Sequence, residues 1–174
     1  RGDSIDLTTL GFAAGGAPAN LLFTGLSGST VVAPNDNTID TVGPVLTSSS
    51  ASATVQLQGS ATLLDVMIEN TSTGAGVRAD FSTSETVVIR DATITANNIA
   101  IRLTPGGGTL DFDFSDLTLT GQFLTVNVGT ATLQGTVTGT NTITNPNGNA
   151  LGLEDIAVGA AGITFANVTS TNGT

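Results

Sequence analysis

The chain has 174 residues, 14 acidic and 4 basic side chains, and a net charge of −10. It contains no His, Cys, Trp, Tyr or Lys. That excludes a disulfide framework, thiolate and imidazole metal sites, a cysteine nucleophile and a Ser-His-Asp triad. Four arginines amid that acidity argue against a nucleic-acid partner, and no apolar run approaches the ~20 residues of a membrane span.

The first 36 residues read as a cap or as irregular first coils. Arg1-Gly2-Asp3-Ser4 contains the tripeptide recognised by integrins, a match short enough to arise by chance. No basic start and apolar middle mark a signal peptide, and the first residue is not Met, so the chain is expected to be processed or part of something longer. Gly11 to Asn20 reads as a loop, and Thr47 to Ser52 as a polar corner.

Residues 37–174 repeat. Abundant Thr, Val and Ile suit pleated surfaces, while 22 Gly and many Asn suit turns, so the chain is expected to be all-β. Four segments align, starting at Leu63, Ile89, Phe114 and Phe165, with spacings of 26, 25 and 51 residues. The last spacing is near two periods, and Thr140-Asn141-Thr142-Ile143-Thr144 lies between, one residue out of register. A second strand recurs upstream, starting at Val55, Val77, Ile99, Leu124 and Leu151. Asn97-Asn98, Gly121-Gln122, Asn147-Gly148 and Asn172-Gly173 separate the units as turns. A unit of about 25 residues cannot bury its own apolar face, and stacking such units solves this. The prediction is a right-handed parallel β-helix, a solenoid with coils of about 25 residues. A β-sandwich or jelly roll is the competing fold. The residues placed inside are Val77, Ala79, Phe81, Ile89, Ile94, Ile99, Ile101, Leu103, Phe112, Phe114, Leu117, Leu119, Val126, Val128, Ile143, Leu151, Leu153, Ile163, Phe165 and Val168.

The run from Gly162 to Thr174, Gly-Ile-Thr-Phe-Ala-Asn-Val-Thr-Ser-Thr-Asn-Gly-Thr, resembles the degenerate repeats of right-handed parallel β-helix proteins of bacterial surface and secreted type. Autotransporter passengers and adhesin-like stalks are of this kind. The resemblance covers about residues 37–174. It implies secretion or display at the cell surface and a structural or adhesive role. No catalytic residue transfers with it.

Three groups of side chains are candidate sites. Asp65, Asp91, Asp116 and Asn167 share one place in their units. Stacked oxygens there would suit Ca²⁺, but the favoured reading is a corner where Asp and Asn tolerate left-handed backbone. No metal or other cofactor is assigned. Asp111, Asp113 and Asp116 are the densest carboxylates and would be the acid and base of a carbohydrate-cleaving site. Alternation turns Asp111 and Asp113 outward, and no Trp or Tyr is present as a sugar platform, so an enzyme is not expected. The third group is a threonine array, Thr93 with Thr95, Thr118 with Thr120, Thr142 with Thr144, and Thr169 with Thr171. Stacked, it forms two columns of hydroxyls and methyls resembling the face of ice-binding β-helices. Asn70, Asn167 and Asn172 open glycosylation sequons.

The expected function is a structural or adhesive stalk or filament segment. It would continue into further coils or stack head to tail on other copies, and it would have a surface or glycan ligand. A carbohydrate-binding or carbohydrate-cleaving module is the alternative, followed by an ice-binding face.

Overall fold

The computed structural model describes residues 22–24, 30–33, 37–40, 45–49, 51–57, 60–64, 66–126 and 128–171. Arg1 to Ser4, Asp65 and Asn172 to Thr174 lie outside them. The described chain is an all-β parallel solenoid of about 5 turns, with coils of about 24 residues and no helix.

Each coil has three faces. The first stacks Asn37–Asp40, Ala61–Leu64, Glu85–Arg90, Thr109–Ser115, Thr132–Thr138 and Ile156–Ile163 as one parallel sheet of six strands. The second and third merge into an 11-stranded sheet, because Thr93–Leu103 and Thr118–Thr125 each run through the corner between them. One antiparallel pair is present among the described strands, Leu22–Thr24 against Thr30–Ala33, and the latter stacks in parallel on Val55–Leu57.

Alternation explains the strands. In Thr109–Ser115, Leu110, Phe112 and Phe114 are fully buried, while Asp111 and Asp113 face out. Neighbouring coils then align like with like. The second face carries an aliphatic ladder of Leu46, Ile68, Ile94, Leu119, Ile143 and Val168 in unbroken register. Inside the middle coils, Phe112, Phe114 and Phe123 pack with ring centroids 5.0 to 6.0 Å apart, and Phe165 reaches Phe123 at 6.2 Å. Each such pair contributes about 0.5–1.5 kcal/mol beyond area burial. Gly135 is the register partner of Phe112, and a Cβ there would lie 2.5 Å from the ring. The glycine therefore makes room for the aromatic cluster.

Most interior predictions hold: twelve of the twenty side chains are buried, including Phe81, Ile89, Leu103, Phe114 and Ile143. Ile163 and Phe165 are partly buried against the core. Four are corrected. Val128 is 60% exposed, because Phe123 and Thr125, rather than Leu124 and Val126, enter the third-face ladder. A slip of one residue exchanges the faces of a strand; Val126 is accordingly only half-buried. Leu153 is exposed, since its strand stops at Gly152. Val168 occupies a ladder position yet is 46% exposed, because its only partner among the described strands lies on one side. Ile99 and Leu151 are half-buried, and Ile101 takes the ladder place next to Val77.

The corner between the second and third faces varies from coil to coil. Where it is wide, an asparagine holds it. Asn70 is 1% exposed; its Oδ1 accepts from the Ser72 N–H (2.9 Å) and its Nδ2 donates to the Ser52 carbonyl (2.9 Å). Asn145 repeats this with the Asn147 N–H (3.0 Å) and the Asn149 carbonyl (2.8 Å). Where the corner is tight, Gly121 turns it with φ of +113°, a conformation that strains side-chain-bearing residues. Over this tight corner the flanking loops meet: Asn147 Nδ2 donates to the Asn97 carbonyl, 50 residues away, at 2.8 Å. Asn97 Nδ2 donates in turn to the Thr71 carbonyl at 2.8 Å.

Candidate functional site

The threonine array lies on the outer side of the second face. Flanking the buried ladder of Ile94, Leu119 and Ile143, one column is Thr93, Thr118 and Thr142. The other is Thr95, Thr120, Thr144 and Thr169. All seven are exposed or half-buried. Neighbouring hydroxyls in a column repeat at the strand spacing, about 4.8 Å. The step from Thr118 to Thr142 is 24 residues where that from Thr93 to Thr118 is 25, so the segment out of register in sequence is in register in space.

The fourth pair is corrected. Thr169 is the register partner of Thr144, so it belongs to the second column, and Asn167 stands in the first. Thr171 lies beyond the strand, in an isolated bridge to Gly148. The sequence alignment took Phe165 as the equivalent of Phe114, whereas Ile163 occupies that ladder, a shift of two residues. On the other side the columns end at Met67 and Glu69, the register partners of Thr93 and Thr95. The array is therefore two columns, one of three threonines and one of four, bounded by an exposed thioether and a carboxylate.

The acidic ladder resolves into backbone corners. Asp91 and Asp116 have φ of +52° and +56°, the left-handed region that short polar side chains tolerate. Asp116 Oδ1 accepts from the Thr140 N–H of the next coil at 2.8 Å. Asn167 does not share this place, being inside Asn167–Ser170, and Asp65 lies outside the described residues. Asp155, which the sequence did not single out, is the third non-glycine residue with positive φ among the described ones. No group of three or more metal-ligating side chains occurs among the described residues.

Asp111 and Asp113 face outward as expected, over a shallow groove shared with Gln134, Gly135 and Thr136. Asp113 is paired with Arg90 at 2.7 Å and accepts from Thr136 Oγ1 at 3.4 Å. That carboxylate is held in a solvent-exposed ion pair. Asn141 was read in sequence only as part of a repeat. It is fully buried at a corner, where its Oδ1 accepts from the Leu117 N–H (2.9 Å) and its Nδ2 donates to the Thr164 carbonyl (3.1 Å). One side chain thus ties three successive coils together. The sequon at Asn70 is likewise structural: its amide is buried and bonded, so it is closed to a glycan. No protein family, curated protein or solved structure matches the chain.

Proposed function

We propose that the chain is a structural and adhesive segment of a secreted or cell-surface stalk or filament, whose coils continue or stack end to end, and that it is not an enzyme. The observation that supports this reading is the open face of the last described coil. Val168 and Val158 are 46% and 57% exposed, although they stand in register with buried Ile143 and Gly135. A further coil, from the same or another chain, would bury both. Contact through two different surfaces need not close and so yields a fibre. Light scattering and electron microscopy of the 174-residue chain at micromolar concentration test this. Elongated assemblies are expected, and Val168→Asp with Val158→Asp should dissolve them while leaving the circular dichroism spectrum unchanged. A monodisperse monomer at all concentrations would count against stacking of copies.

The register of the two threonine columns favours a second reading, an ice-binding face. The ladder beneath is in unbroken register, so the hydroxyls and methyls repeat at a regular spacing in two dimensions. Thermal hysteresis of the solution, lost on Thr120→Lys at the centre of the array, is its signature. A solution with no hysteresis would remove this reading and leave the first intact.

A further inference from the structure

The outer side of the third face holds an unusual block of four residues. Arg78 and Arg102 are register partners on neighbouring strands. Val77, Ala79, Ile101 and Leu103 beside them are fully buried, so alternation turns both arginines outward. Like charges directly opposite one another are destabilising. Asp80 pairs with Arg78 through Nε, while Arg102 has no carboxylate partner among the described residues. Thr104 sits next to Asp80, because its N–H donates to the Ala79 carbonyl at 2.7 Å and extends the ladder by one residue.

Three buried side-chain polar atoms among the described residues lack a hydrogen-bond partner: Asp80 Oδ1, Arg102 Nε and Thr104 Oγ1. All three fall in this block. Thr104 is only 7% exposed. Leaving such an atom without a partner is costly, and folded proteins keep few of them. Elsewhere in this solenoid the fully enclosed amides of Asn70, Asn141 and Asn145 are all bonded.

We propose that this block binds a carboxylated sugar, with the carboxylate on the Arg102 guanidinium and neighbouring hydroxyls on Asp80 and Thr104. The charge count sets the first half. Two guanidiniums and one carboxylate leave a local excess of one positive charge on a chain of net −10. A guanidinium matches a carboxylate with two parallel hydrogen bonds. The unpartnered Asp80 oxygen sets the second half. It only accepts, so a bare anion would face repulsion there, whereas a hydroxyl donates to it. Leu124, the register partner of Arg102 and half-buried, offers an apolar edge to the sugar ring. The unpartnered atoms lie beneath the outer surface, so this binding requires the neighbouring Arg78 side chain, 44% exposed, to swing aside.

The test is titration of the full chain with a galacturonate oligosaccharide, followed by calorimetry and by the Arg102 Nε–H signal in NMR. A neutral galactose oligomer, a sulfated one and a glutamate peptide of equal length are the comparators. The galacturonate is expected to bind and to shift the Arg102 signal. The comparators should bind at least about tenfold more weakly, a difference of ~1.4 kcal/mol. Arg102→Gln should lose about tenfold, Arg102→Lys should fall between, and Asp80→Asn should weaken binding severalfold. Equal binding of the glutamate peptide or the sulfated sugar would overturn the assignment, and so would tighter binding by Asp80→Asn, the mark of a plain anion site. No binding, or an Arg102 signal that stays in place, would also overturn it. The readout is independent of filament formation, so it fails or succeeds apart from the stalk reading.

Discussion

In the middle coils, Ile94, Leu119 and Ile143 are at most 2% exposed, whereas Val168, the next residue of the same ladder, is 46% exposed. Register and chemistry are shared; only the number of stacked neighbours differs. Burial in a solenoid therefore belongs to the stack, and a coil with one neighbour keeps about half of it. Stability should follow the same gradient, since each coil contacts only those beside it. The widest contrast comes from the aromatic cluster. Phe114→Ala is expected to cost about 3–5 kcal/mol in urea denaturation, as for large truncations in a closed core. Val168→Ala should cost less than about 1 kcal/mol. Comparable losses at the two positions would break the comparison.

A smaller effect sharpens it from the opposite direction, by adding atoms. Gly135→Leu drives a side chain into the Phe112 ring and should destabilise the centre by about 1–3 kcal/mol. An unchanged midpoint would mean that the ring has room to move aside. The smallest effect concerns the corners. Asp116→Ala loses the bond to the Thr140 amide and places a Cβ residue without a polar side chain at positive φ, at a cost of about 1–2 kcal/mol. Asp116→Asn keeps both the tolerance and the acceptor, so its melting temperature should stay near that of the parent. Equal losses for the two variants would show that the charge, and not the backbone geometry, matters there.

The sequence was most legible where side chains alternate on a flat face. The second-face ladder and its threonines could be read because Thr-x-Thr around an apolar residue reports both period and orientation. The third face was harder. Gly121 shortens one corner, so Phe123 and Thr125 take the inward places that the alternation assigned to Val126 and Val128. Hydrophobicity alone cannot place a threonine inside; Thr125 is buried because its hydroxyl donates to the Glu154 carbonyl and accepts the Glu154 N–H. The buried asparagines were hidden for a related reason. Asn70 looked like a surface sequon, since its burial depends on the width of its corner loop. The arginine block was invisible because Arg78 and Arg102 meet only through register.

The bond from Asn147 to the Asn97 carbonyl crosses two coil steps, and this limits how such a chain can change in length. A uniform solenoid is free to gain or lose a turn anywhere, because every rung offers the next the same edge. At this corner it is not. Inserting one coil between these asparagines would move their loops about 4.8 Å further apart, and deleting one would push them into each other. Either edit would sever the clasp over Gly121. Lengthening by duplication is therefore tolerated outside the stretch from 97 to 147 and penalised within it, so that stretch behaves as an indivisible module.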